Sequence, residues 1–161
     1  MTTDHNVSTQ ARELWRSGKA IDAGRLLFEH LKPELRPMWA SRLLRAVVQR
    51  TEIKSPSIDA ILVISENVAD WNNAHRAFSF VREATLKLEE IQGRSIHQEL
   101  LLAQLYLAEN VAKVVYNATN PPDPFDEEAG WWLAVCLKRV LDLLADPSFE
   151  EFIWSKLVWK N

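Results

Sequence analysis

The chain has 161 residues, 47% hydrophobic and 25% charged, with a net charge of −3. That composition excludes a disordered chain, and the length suffices to bury a core without covalent staples. A single cysteine, Cys136, excludes an intrachain disulfide and any multi-cysteine metal site.

Only four glycines occur, and strand-like alternation is scarce. The expected fold class is all-α: one domain over residues 1–161, an antiparallel bundle or a short stack of αα-hairpins, with about eight helices. Residues 1–7 are polar and read as frayed. Ser8 or Thr9 then caps a first helix, which Gly18 stops. A second helix covers residues 19–31, with Ile21, Leu27, Phe28 and Leu31 inward. Leu14, Gly18, Ala23 and Leu27 resemble the small and apolar positions of one tetratricopeptide hairpin. The pattern does not recur along the chain, so no repeat array is expected.

A third helix over residues 37–51 places Pro37 in its first turn, with Trp39, Leu43, Leu44, Val47 and Val48 inward. Ser55-Pro56 opens a fourth over residues 56–68, and Asp70 is the expected cap of a fifth over residues 71–91. The prolines of Asn120-Pro121-Pro122-Asp123-Pro124 forbid helix until the end of that connector. There Asp123 caps and Pro124 starts a seventh helix running to residue 144. Asp146-Pro147 repeats the device for an eighth, over residues 147–159.

Between the fifth and seventh lies the segment the chain is organised around, residues 95–119. Ser95 and Gln98 stand at capping-box spacing, and Gly93 can end the preceding helix. Ile96, Leu100, Leu101, Leu102, Leu105, Leu107, Val111, Val114 and Val115 make this sixth helix apolar nearly all round, the pattern of a buried helix. Glu99, Gln104, Glu109, Asn110 and Lys113 interrupt the run and exclude a membrane span. Glu99, Tyr106, Asn110, Lys113 and Asn117 fall on one strip of about 60°. Glu109 lies beside it, four residues before Lys113 and in the favourable order for an ion pair. The strip is either a solvent-facing edge, a ligand-lined groove or a buried polar network.

No glycine-rich phosphate loop, zinc-ligand spacing or nucleophile elbow is present, so no catalytic residue, metal or cofactor is expected. The four histidines are scattered, and Cys136 sits in an apolar helical context that suits an inert thiol. The polar opening MTTDHNVSTQ lacks an apolar core, so no membrane partner is expected and a cytoplasmic location is the default. Charge is uneven, +4 over residues 1–54 and −7 over residues 55–161. The basic third is expected to face the acidic part of its own chain rather than nucleic acid.

Seven tryptophans are many for this length. In the last helix Phe149, Phe152 and Ile153 mark one side, while Trp154 and Val158 point the other way. Such a helix has either two neighbours or a partner chain. The first functional expectation is therefore a non-enzymatic interaction or self-assembly module that meets a protein, a peptide or its own copy through Trp154 and Val158. The alternative is a small-ligand-binding bundle, an enzyme of unfamiliar type included. Its site would be Tyr106, Glu109, Asn110, Lys113 and Asn117, roofed by Trp131 or Trp132.

Overall fold

A computed structural model of the chain describes residues 2–119 and 128–157. Among the described residues eight α-helices follow one another and no strand occurs. Helix α1 (Thr2–Arg16) begins six residues before Ser8, which therefore lies inside the helix rather than at its cap. No proline or glycine interrupts residues 2–8, and Val7 packs against the core, giving the added turns an apolar anchor. Gly18, at φ +84°, ends α1 as expected.

Helices α2 (Ala20–His30) and α3 (Arg36–Thr51) are joined by a short 3₁₀ turn at Pro33–Leu35. Helix α4 (Pro56–Ser65) starts on Ser55-Pro56, although the Ser55 hydroxyl meets Ser57 Oγ at 3.0 Å instead of capping a backbone N–H. The expected cap at Asp70 is not used. Asn67 caps a 3₁₀ segment, Val68–Asn73, and its amide donates to Asp70 Oδ2 at 2.9 Å. Trp71 is buried in that segment and donates Nε1–H to the Ser65 carbonyl at 3.1 Å. Its side chain is pinned to the end of α4, so α5 (Ala74–Glu89) begins only after it.

Helix α6 (Ile96–Asn117) has the full capping box: Gln98 N–H reaches Ser95 Oγ at 3.1 Å, and Ser95 N–H reaches Gln98 Oε1 at 2.9 Å. Its 22 residues span about 33 Å, and it packs against α3, α4, α5 and α7. One apolar cluster runs from Ala11 in α1 to Trp154 near the last described residues. Helix α7 (Ala129–Leu144) also packs on α2. The start expected for it at Asp123-Pro124 lies outside the described residues. The α2–α7 crossing is close because two glycines sit in it. A Cβ on Gly24 would stand 2.8 Å from Ala134 Cβ, and one on Gly130 would stand 2.5 Å from the Phe28 ring.

Helix α8 (Pro147–Phe152) is capped by Asp146, which accepts from Ser148 N–H at 3.1 Å and Phe149 N–H at 3.2 Å. A wider turn, Ile153–Leu157, follows it. Asp146 also binds Arg50 of α3 at 2.7 Å, and Arg45 pairs with Glu66. Basic residues of the first third thus meet acidic residues of the rest, as the charge pattern suggested. Arg50 first, and then the Phe149 N–H, hold the Asp146 carboxyl below the usual carboxylate range. A depressed folded-state pKa contributes stability above the ordinary value of 3.8 that is lost as pH falls through the lower folded one. In urea titrations, Asp146→Ala should therefore be less stable than the parent at pH 7, with the gap closing under acid. An equal gap at pH 7 and pH 3 would contradict this.

Trp154 is not at a surface. It is 0% exposed, and its ring stacks on Trp15 with centroids 6.1 Å apart. Of the two explanations for a last helix with apolar groups on two sides, the structure supplies two neighbours within the chain. Trp15 also donates Nε1–H to Glu150 at 3.1 Å, tying α8 to α1. Val158 lies outside the described residues.

Candidate functional site

The middle of the polar strip of α6, Tyr106, Asn110 and Lys113, lies on the floor of a groove. On one side stands α7, which contributes Trp132, Val135, Cys136 and Arg139. The α6 floor itself is Ala103, Tyr106, Glu109, Asn110 and Lys113. The groove encloses about 350 Å³, within the range of small-molecule sites. On the other side α5 anchors the strip through three contacts. The Tyr106 hydroxyl donates to Glu89, Arg82 Nη1 lies 3.4 Å from Glu109 Oε1, and Lys113 Nζ stands 5.6 Å from the centre of the Phe78 ring.

The spacing of the floor follows from helical geometry. Tyr106, Asn110 and Lys113 step by four and three, so they share one face, and Ala103 three residues earlier extends it. Asn110 fixes the middle: its Nδ2 donates to the Tyr106 carbonyl at 2.9 Å and points at Cys136 Sγ at 3.2 Å. Burial, and then the charge of Glu109, push the Cys136 thiol up to about 11. Burial, and then the Glu89 contact, push the Tyr106 phenol up to about 12. Both groups are held protonated near neutral pH. Glu109 is only 7% exposed and has its charge matched by Arg82.

Several expected members sit elsewhere. The Glu109–Lys113 pair does not form, because Glu109 turns toward Arg82 of α5 while Lys113 is exposed over Phe78. Asn117 leaves the groove and lines a separate hollow of about 160 Å³ with Phe28, Pro33, Arg36, Val114 and Ala129. At its level the neighbours of α6 have changed to α2, the 3₁₀ turn after it and the start of α7. Trp131 is half-buried and meets Trp132 edge-on, with ring centres 4.6 Å apart, so Trp132 alone faces the groove. Glu99 falls beyond the groove's end, held by Arg94 at 2.9 Å and Arg139 at 3.7 Å.

Trp132 was legible in the sequence as a roof, but Val135, Cys136 and Arg139 of α7 and the α5 residues that anchor the strip were not. Trp132, Val135, Cys136 and Arg139 recur at the three- and four-residue steps of a helix face, and Phe78, Arg82 and Glu89 at steps of four and seven. That periodicity was available, but each face mixes apolar, aromatic and charged residues and does not separate from an ordinary amphipathic helix. Among the described residues no group of three or more His, Cys, Asp and Glu side chains is placed to hold a metal ion. No described helix is long and apolar enough to cross a membrane. No protein-family model matches the chain, and neither curated proteins nor solved structures contain a match to it.

Proposed function

We propose that this is a small-ligand-binding helical domain whose site is the α6–α7 groove. The observation that carries the reading is convergence. Four of the polar residues marked on α6, Tyr106, Glu109, Asn110 and Lys113, meet Trp132 in one concave, partly apolar space. Binding is favoured over acid–base or thiol chemistry because Tyr106 and Cys136 are held protonated and Glu109 is neutralised by Arg82.

The test is a titration of ¹⁵N-labelled protein with a chemically mixed fragment set. Shifts are expected to cluster on Ala103, Asn110, Val135 and Cys136. Val135→Trp, which places a large ring in the groove from a half-buried position, should weaken those fragments about tenfold, or roughly 1.4 kcal/mol, while leaving the fold intact. Shifts mapping elsewhere, or unweakened binding by the variant, would overturn the proposal.

A second reading, a protein-interaction or self-assembly module, loses Trp154 as its contact but keeps one supporting observation. Ile91 and Ile96 flank the α5–α6 turn and are both exposed, Ile96 at 69%. Two exposed apolar side chains at the same interhelical turn are where a partner's contact would be sought. A dimeric mass for the parent chain in solution would favour this reading, whereas the groove needs only the monomer.

A further inference from the structure

The charges along the groove are unequal. Arg139 has Glu99 at 3.7 Å, and Arg82 has Glu109 at 3.4 Å. Lys113 lies over the Phe78 ring and has no carboxylate partner among the described residues. It is therefore an uncompensated cation in a concave site.

Its surroundings are aromatic. Helices α6 and α7 run antiparallel, since Asn110 meets Cys136 while the earlier Glu99 lies by the later Arg139. Lys113 thus shares its end of the groove with Trp132, and Ala103 shares the other end with Arg139. Trp132 is 47% exposed, with its ring braced edge-on by Trp131. Lys113 also borders a second hollow, of about 140 Å³, lined by Ala74, His75, Phe78, Ala112 and Tyr116. Flat apolar surface therefore flanks the ammonium from α5, α6 and α7.

Resting on the groove reading, we propose that the ligand is a small planar organic anion, an aromatic carboxylate, with its charge against Lys113 Nζ and its ring against Trp132. A cationic ligand would meet Lys113 with like charge, and the carboxylate of the groove, Glu109, is already engaged by Arg82. A neutral one would strip water from Lys113 without replacing it. A planar ring matches Trp132 because aromatic faces stack or meet edge-on at little entropic cost. A carboxylate on that ring supplies the charge-assisted hydrogen bond that Lys113 lacks.

The experiment is a charge series on one ring: 2-naphthoate, 2-naphthamide and 2-naphthylmethylamine, each titrated into ¹⁵N-labelled parent and Lys113→Met protein. In the parent, naphthoate is expected to bind about tenfold more tightly than the amide, with shifts at Asn110, Trp132 and Cys136, and the amine more weakly than either. Lys113→Met should erase the difference between naphthoate and amide. Lys113 is exposed, so its melting temperature should stay with the parent's. Amide or amine binding in the groove as tightly as naphthoate would overturn the anion inference and leave the groove reading standing. A naphthoate preference that survives Lys113→Met would overturn the assignment to Lys113. No groove shifts from any of the three up to millimolar concentration would overturn both readings.

Discussion

Replacing Trp154 with alanine is expected to lower the unfolding free energy by about 3–5 kcal/mol, the usual cost of deleting a large buried aromatic. For a chain of this size that is a fall in melting temperature of roughly 10 °C. Trp154 is among the largest side chains with no exposed surface, and Ile153 beside it is equally covered. Its ring stacks on Trp15 and lies 3.6 Å from where a Cβ on Gly24 would stand, so it fills the space where α1, α2 and the chain after α8 converge. Collapse around the missing ring is limited, because α2 already touches α7 through Gly24 and Ala134. Urea unfolding followed by circular dichroism measures the effect. A loss below about 1 kcal/mol would mean that Trp154 is not enclosed by its own chain.

The second large effect concerns the α2–α7 crossing. Gly24→Leu is expected to destabilise by about 2–3 kcal/mol, because its first carbon would already sit 2.8 Å from Ala134 Cβ, a methyl that can move only with its helix. Leucine is the better helix former, so a rise in stability would show that the crossing can spread freely. The swap Gly24→Ala with Ala134→Gly isolates the cause. It keeps one methyl at the contact, and its two helix-propensity terms, each about 1 kcal/mol, oppose one another. The double variant should therefore lie within about 1 kcal/mol of the parent, well above the leucine variant. The crossing also matters for the groove. Ala134 is on the helix that carries Trp132, Val135, Cys136 and Arg139, so the distance of α7 from α2 helps set where that wall stands.

Local chemistry carried most of the secondary structure. Gly18, the Ser95–Gln98 box and Asp146-Pro147 each act within one helical turn, and each does in the structure what its residues imply. Asp70 misled because its neighbour Trp71 is pinned to the Ser65 carbonyl, a contact across six residues that replaces the first turn of α5 by a 3₁₀ segment. The length of α1 was missed for a related reason. Residues 2–7 carry weak helix signals of their own, and only the packing of Val7 on the core supplies the anchor.

The candidate site divides along the same line. That Tyr106, Asn110 and Lys113 share a face follows from the period of the helix and needs no other part of the chain. Whether that face meets water, a partner or a second wall depends on where α5 and α7 lie, and those positions are set by side-chain packing across tens of residues. Trp154 makes the converse case: its place on the last helix left both two neighbours and a partner chain open, and the expectation of a contact with a partner through it does not fit its burial. By itself the sequence determined the helices, the caps at Ser95 and Asp146 and the strip on α6, because these rest on interactions spanning at most one or two turns. The tertiary structure alone decided that the strip is roofed into a groove, that Glu109 answers Arg82 rather than Lys113, and that Trp154 is buried. Each of those outcomes is a contact between distant segments, fixed by how the helices fill space against one another.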